Sequence, residues 1–206
     1  MRIIATIEAR MTSTRLPGKV LMKVKKKTLL EFLIERLKKV SEIDDIILCT
    51  TKNQTDDILV SKAKQLDIKF FRGSENNVLS RVTGAVKKFK ADVVVQITAD
   101  CPIIDFKIVK NLISIYKNNN YDCVTNAFVR SFPDGMDVSV MKANVLIKSN
   151  ILSKSQKYKE HVSLFVKSNP KKFKINDIIA NKKNYWPELG LTLDEKKDYL
   201  LKKKNN

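Results

Sequence analysis

The residues best suited to chemistry lie in one short stretch, positions 9–19. It reads A-R-M-T-S-T-R-L-P-G-K, so Arg10, Arg15 and Lys19 stand close together, with three hydroxyl side chains between the two arginines. A triphosphate carries about four negative charges and is held by several cations together with backbone N–H groups. The stretch has neither the Walker A spacing nor a G-x-G-x-x-G run. We expect it to bind a nucleoside triphosphate, with Ala9 and Ser13 among the contacts, and we call it the phosphate loop. The alternative is a basic surface loop.

Two aspartates could hold a divalent cation. Asp100 follows the apolar run V-V-V-Q-I-T-A, which predicts a central strand, and Mg²⁺ prefers carboxylates combined with phosphate oxygens. Gln96, Thr98 and Ala99 would line the same crevice and contact the nucleotide. Asp194 follows L-T-L and would complete a two-carboxylate metal site with Asp100. The alternatives are that Asp100 only caps the next helix and that Asp194 is a surface acid.

Three further segments carry candidate site residues. Arg72 ends a short strand, and we expect it to contact the nucleotide. The turn P-D-G-M-D supplies Asp134 and Asp137, although Asp-Gly turns are common in proteins. Glu160 and His161 open a predicted helix, and for His161 structural, substrate-binding and catalytic roles all stay open. We expect these last four residues to contact the second substrate.

Strand-like and helix-like segments alternate along the chain, which predicts βαβ units and a mostly parallel sheet in one domain over residues 1–206. In such sheets the carboxyl ends of the strands converge on one crevice, where the motif loops would meet. Thr28 followed by Glu31 predicts a capping box. The predicted strands cover residues 2–7, 44–50, 69–72, 92–97, 122–127, 138–141, 173–179 and 190–194. The predicted helices cover about 28–40, 55–66, 77–88, 106–116, 145–153 and 160–167.

Composition excludes several classes of protein. The net charge of +18 is typical of nucleic-acid binding, but the lysines are scattered along helix faces and aromatic residues make up only 7%, so we expect no nucleic-acid partner. No apolar run approaches the ~20 residues of a membrane span, and the N-terminus has no signal-peptide pattern. We therefore expect a cytoplasmic protein without a membrane partner. Three distant cysteines and a single histidine argue against a zinc site and indicate buried, reduced thiols.

Taken together, these residues resemble the cytidylyltransferases that make CMP-activated acidic sugars, in particular the subgroup typified by spore coat polysaccharide biosynthesis protein F. The phosphate loop is similar to the family's nucleotide loop, A-R-x-x-S-x-R-L-P-G-K. Later signatures of the subgroup follow in the right order, namely F-R-G-S-E-N-N-V-L-S-R, I-T-A-D-C-P-I-I-D, P-D-G-M-D-V and E-H-V.

The resemblance implies a Rossmann-like, three-layer α/β/α fold with a mostly parallel sheet. It also implies a small inserted arm, at about residues 128–175, that forms a homodimer or binds the sugar. The implied reaction joins CTP to an acidic sugar, giving a CMP-sugar and pyrophosphate with the help of Mg²⁺, in the biosynthesis of surface polysaccharides.

The resemblance also implies roles for individual residues. Matched by position, the contacts to CTP would come from Arg10, Ser13, Arg15 and Lys19, and the metal ligands would be Asp100 and Asp194. We accordingly expect Arg10, Lys19 and Asp100 to act directly in catalysis.

Two departures from the family pattern leave alternatives open. The run after Asp194 reads D-E-K-K-D, with Lys196 and Lys197 where the family has Pro and Glu, and Ser139 follows P-D-G-M-D-V where the subgroup commonly has an acid. One alternative is a nucleotidyltransferase for another nucleotide or for a polyol phosphate. Another is a nucleotide-binding homologue with weakened catalysis. A glycosyltransferase is a third, but the D-x-D motif expected of it does not follow the central strand.

Overall fold

A seven-stranded sheet forms the centre of the molecule, as seen in a computed structural model that describes residues 1–196 and 198–200. Its strands lie in the order β5-β4-β1-β6-β8-β7-β9, and β2 and β3 form a separate hairpin. The strands are β1 Ile3–Glu8, β2 Lys23–Val24, β3 Lys27–Thr28, β4 Asp45–Thr51, β5 Lys69–Gly73, β6 Val93–Thr98, β7 Cys123–Thr125, β8 Ser139–Lys142 and β9 Ile175–Asp177.

The sheet is mostly parallel, as predicted. Strand β1 pairs in parallel with both β4 and β6, β4 with β5, and β7 with β9. Only β8 runs against its neighbours β6 and β7. The carboxyl ends of β1, β4 and β6 therefore meet at one edge, and the chain enters β8 at that same edge.

Helices cover both faces of the sheet and give three layers. The helices are α1 Leu29–Leu37, α2 Asp57–Gln65, α3 Val78–Lys88, α4 Phe106–Lys117, α5 Ala143–Leu152, α6 Gln156–Glu160 and α7 Leu164–Lys167. One core cluster packs α1, α2 and α4 against the sheet, and a second packs α3, α5 and α7 against the opposite face. Within the described residues, no helix is long and apolar enough to cross a membrane.

The alternation of side chains along β1 explains how the sheet contributes to a core cluster on each of its two faces. Ile3, Ala5 and Ile7 contribute to the first core cluster, and Ile4 contributes to the second, because successive side chains of a strand point to opposite faces. The predicted α/β/α fold is confirmed. The three cysteines are buried and free, as expected.

Several local predictions were wrong. Residues 160–167 do not form one helix, because His161 has an extended backbone between the end of α6 and the start of α7. Residues 190–194 do not form a strand, since a single bridge joins Gly190 to Asp134. The β2–β3 hairpin was not predicted. The arm expected at about residues 128–175 stays a prediction; β8, which lies in that range, pairs inside the central sheet.

The predicted capping box at the start of α1 is confirmed. The Thr28 side chain accepts a hydrogen bond from the Glu31 backbone N–H, and the Glu31 carboxylate accepts one from the Thr28 backbone N–H at 2.6 Å. We predict that Thr28→Ala lowers the free energy of unfolding by about 1 kcal/mol, because backbone donors at the helix start lose an acceptor. Urea denaturation measures this. Thr28→Ser keeps the hydroxyl and should stay close to wild type, and equal losses in both variants would contradict the assignment.

Candidate active site

A cleft of about 560 Å³ opens where β1 and β6 end. Its walls come from the phosphate loop, the start of α3, the residues that enter β8 and the segment around the end of α6. The cleft brings together most of the predicted site residues, namely Ala9, Arg10, Ser13, Lys19, Gln96, Thr98, Ala99, Asp100, Asp137, Glu160 and His161.

The phosphate loop closes on itself so that Lys19 faces this cleft. The Gly18 N–H donates to the Met11 carbonyl at 2.9 Å. Gly18 has a φ of 70°, a left-handed conformation that glycine adopts at little cost. A 3₁₀ turn then begins at Lys19. The Pro-Gly pair of the motif therefore turns the chain and directs its last cation into the site.

Lys19 joins the two aspartates predicted to bind metal. Its Nζ lies 2.9 Å from Asp194 Oδ1 and 3.3 Å from Asp100 Oδ2, and its side chain is only 11% exposed. The two carboxylates are therefore close enough to share one cation, and here they share the lysine ammonium. Arg15 Nη2 also contacts Asp194 Oδ1, at 2.9 Å.

Backbone and side-chain contacts hold Asp100 in place. Thr98 Oγ1 donates to Asp100 Oδ1 at 2.5 Å, and the Leu193 N–H donates to the Asp100 carbonyl at 3.0 Å. The alternative that Asp100 caps the next helix was wrong, since Asp105 is the N-cap of α4. The side chain of Asp100 is thus free of a capping role and directed to the cleft.

The run that begins at Asp194 and departs from the family pattern ends with Asp198, which supports the backbone of Asp194. Asp198 accepts hydrogen bonds from the backbone N–H groups of Asp194, at 3.0 Å, and Glu195, at 2.8 Å. This fixes the turn that presents Asp194. Of the two lysines that depart from the family pattern, Lys197 lies outside the described residues.

Asp56, which is buried, and Glu75, which is partly exposed, hold the first residues of the phosphate loop in place. Asp56 accepts from the Met11 backbone N–H at 2.8 Å and from three groups of Thr50 and Thr51. Glu75 accepts from Thr12 Oγ1 at 2.5 Å and from Asn53 Nδ2 at 2.7 Å.

Arg10 joins the same network, since its Nη1 lies 3.4 Å from Glu75. The ends of β4 and β5 thereby hold the loop against the sheet.

Four predicted site residues do not line the cleft. Arg15 and Asp194 still belong to the charge network around Lys19. Arg72 turns the other way, because its guanidinium donates to the carbonyls of Thr51 and Asn53 and pairs with Asp57. Asp134 pairs with Arg130. The structure thus does not bring Arg72 or Asp134 to the site.

The side of the cleft beyond β6 carries the remaining predicted contacts. Asp137 is paired with Arg130 Nη1 at 2.9 Å, and burial nevertheless raises its pKa to about 6. Glu160 and His161 are exposed on the facing wall. Ser139 lies at the cleft floor, where β8 pairs with β6.

Glu8, Glu75 and Arg81 also line the cleft, although the sequence patterns did not assign them to the site. Burial raises the pKa of Glu8 to about 8, although the hydrogen bond from Gln96 and the charge of Arg81 act in the opposite direction. Arg81 is a charged residue among the buried apolar positions of α3. An arginine among the buried residues of a helix is a signal of a role in the site.

The chemistry of this cleft matches what the comparisons with known proteins show. A sequence model of a protein family described as cytidylyltransferase matches residues 4–204. The chain belongs to the cytidylyltransferase family. The match covers the phosphate loop, both aspartates and every element around the cleft, and it confirms the resemblance seen in the sequence.

Individual relatives agree with this assignment. The chain is 32% identical over 204 residues to spore coat polysaccharide biosynthesis protein SpsF of Bacillus subtilis, covering 96% of this chain and 83% of that protein. It is 28% identical over 120 residues to 3-deoxy-manno-octulosonate cytidylyltransferase of Fusobacterium nucleatum, covering 58% and 48% of the two chains. A solved cytidylyltransferase from Leptospira borgpetersenii is 33% identical, with a TM-score of 0.93, covering 98% of this chain and 85% of that one.

The anchoring role of Asp56 predicts how stability depends on pH. Although burial acts against it, hydrogen bonds from Thr51, Met11 and Thr50 lower the pKa of Asp56 in the fold. A lowered pKa stabilises the folded protein above the unfolded value of about 3.9, and this contribution is lost as the pH falls through the folded value. Asp56→Asn should therefore lower the free energy of unfolding by roughly 1–3 kcal/mol at pH 7.

Urea denaturation at pH 7 and at about pH 3.5 checks this. The difference between wild type and Asp56→Asn should shrink at the lower pH, because Asp56 takes up a proton in the unfolded chain there and the contribution begins to be lost. Asp67→Asn, at an exposed position just after α2, is the matched control and should change little at pH 7. A loss that is equally large at both pH values would contradict the assignment.

Proposed function

We propose that this cytidylyltransferase transfers CMP from CTP to an acidic sugar, releasing pyrophosphate, in the biosynthesis of a surface polysaccharide. The observation that carries the proposal is Lys19, which bridges Asp100 and Asp194 at the mouth of the phosphate loop. The pathway and the class of sugar are supported by the names of SpsF and of the 3-deoxy-manno-octulosonate enzyme.

In the proposed reaction an oxygen of a sugar hydroxyl attacks the α-phosphorus of CTP. The bond from that phosphorus to the bridging oxygen of the β-phosphate breaks, pyrophosphate leaves, and the hydroxyl proton passes to solvent water. Lys19, Arg10 and Arg15 hold the phosphates and stabilise the charge that develops on the leaving pyrophosphate. Ser13 and the loop backbone supply neutral donors. Asp137, Glu160 and His161 would contact the sugar.

The donor set at Asp100 and Asp194 fits Mg²⁺, and we propose these two residues as its ligands. The fit is judged from Lys19, whose ammonium already contacts an oxygen of each carboxylate. The described residues hold no cluster of three or more His, Cys, Asp or Glu side chains suited to a metal, so further ligands would be phosphate oxygens and water, as Mg²⁺ prefers. When bound, the ion would neutralise phosphate charge and polarise the attacked phosphorus.

The test is turnover of CTP with a panel of nonulosonic and octulosonic acids, read as pyrophosphate release and as the mass of the CMP product. Asp100→Asn and Asp194→Asn should each lower kcat by about 100-fold or more, since the charge that holds the metal is lost. Glu35→Gln, on the outer face of α1, is the control and should keep full activity. Unchanged pyrophosphate release by Asp100→Asn would refute the metal assignment.

We also propose a cytoplasmic homodimer. A cytoplasmic location follows from the substrate, because nucleoside triphosphates are made and kept there. The dimer is supported by exposed apolar side chains around Ser131, which accepts hydrogen bonds from the N–H groups of Trp186 and Ala180. Val129, Ile179 and Trp186 are 55%, 51% and 61% exposed beside it, and such patches are typical of protein interfaces.

Light scattering coupled to size exclusion tests the dimer. Wild type should elute with twice the mass of the chain, and Trp186→Ala should shift the equilibrium to monomer because a large apolar anchor is removed. Ile58→Ala, which removes a 53% exposed apolar side chain on α2 at the β4–β5 end of the sheet, should leave the mass unchanged. A monomeric wild type at micromolar concentration would refute the dimer.

A further inference from the structure

The cleft has two sides, which the order of the strands separates. The start of α3, with Val78 and Arg81, packs against β4 and β5, and we call this the inner side. Asp137 and Ser139 lie beyond β6, where the chain enters β8, and we call this the outer side. The phosphate loop and Asp100 stand between them. If the outer side takes the sugar, as proposed above, the inner side is left for the nucleoside of CTP.

Arg81 is the most distinctive group on the inner side. It lines the cleft and yet is only 3% exposed. Its Nη1 donates to the Ser74 carbonyl at 2.6 Å, whereas Nε has no hydrogen-bond partner among the described residues. Its stem packs on Gly73, where an added Cβ would lie 2.9 Å from Arg81 Cγ. The guanidinium is therefore fixed in place, and its Nε–H has no acceptor among the described residues. A buried donor without an acceptor costs free energy unless a ligand supplies the acceptor.

The surroundings of Arg81 favour a neutral ligand group over another anion. Asp56 offsets its charge through space, and both Asp56 and Glu8 make their own hydrogen bonds elsewhere. Glu8 accepts from Gln96 Nε2 at 2.7 Å, and Asp56 holds the Met11 N–H. The unused N–H groups of the guanidinium are thus suited to uncharged acceptors such as a ring nitrogen or a carbonyl oxygen.

We propose that Arg81 reads the base of the nucleotide and selects cytosine over uracil. The inference rests on the proposed use of CTP and adds the residue that enforces it. Cytosine presents two adjacent acceptors, O2 and N3, which match two parallel donors of a guanidinium. Uracil carries a hydrogen on N3, so one donor of Arg81 would face another donor and stay unpaired. Sites that hydrogen-bond a ligand discriminate strongly against analogues that leave the site's buried polar groups unpaired.

Calorimetric binding of CTP and UTP, each with Mg²⁺, tests this without any sugar. Wild type should prefer CTP, and Arg81→Met should reduce the ratio of the two affinities by about 10-fold or more, the range for one bidentate contact to a base. The affinity ratio of Arg81→Lys should fall between those of wild type and Arg81→Met, because lysine keeps the positive charge but lacks the two parallel N–H donors of the guanidinium. Arg36→Met removes an arginine that also donates to a carbonyl, at Ile104, outside the cleft, and should keep the wild-type ratio. If Arg81→Met kept the wild-type ratio of CTP to UTP affinity, the proposal would be overturned.

A second measurement uses wild-type protein only and therefore does not depend on the variants folding. A CTP analogue with carbon and hydrogen in place of N3 should bind about 10-fold more weakly than CTP. Equal affinity would overturn the proposal.

Failure of the proposed function gives a different result. A protein that selects cytosine through Arg81 but makes no CMP product with any acid would refute sugar transfer and leave this inference standing.

Discussion

The ammonium of Lys19, held between Asp100 and Asp194, is the contact on which the site depends. It ties together three distant parts of the chain, namely the phosphate loop, the end of β6 and the segment that reaches Asp198. Because the lysine is mostly buried and both acids are partly exposed, the ion pairs act more to fix geometry than to stabilise the fold. The same three groups carry the charges that a metal–triphosphate complex needs.

This arrangement follows from the topology of the sheet. Parallel pairing of β4, β1 and β6 brings their carboxyl ends to one edge, and the loops after them supply Asp56, the phosphate loop and Asp100. Asp56 and Glu75 then hold the front of the loop, while Gly18 turns its end. The antiparallel strand β8 begins at the same edge, which is why Ser139 reaches the cleft. Asp56 and Glu75 thereby hold the start of a cation-rich loop, and Lys19 at its end faces the cleft.

The sequence predicted what depends on local pattern. The apolar runs indicated the strands, and the crowding of Arg10, Arg15 and Lys19 indicated an anion site before any fold was known. The pair of Asp100 and Asp194 was also predicted, because both acids were expected at the ends of parallel strands, although Asp194 in fact follows a segment that is not a strand. The structure bears out that these two carboxylates meet.

The sequence could not show what depends on the direction of individual side chains. Arg72 stands at a strand end, as a site residue should, but its guanidinium caps the carbonyls of the neighbouring strand. Glu8 and Arg81 belong to an apolar strand and an amphipathic helix, and the apolar pattern of these elements does not indicate a role in the site. Their roles follow from burial and from missing partners, which only three-dimensional contacts reveal.

The most direct test of this account is a crystal structure with CTP and Mn²⁺, located by its anomalous signal. We predict a manganese peak contacting carboxylate oxygens of Asp100 and Asp194 and a phosphate oxygen of CTP, with the Lys19 ammonium moved from the two acids onto the phosphates. A structure in which CTP is bound while Lys19 still bridges both aspartates, with the metal elsewhere, would contradict the account.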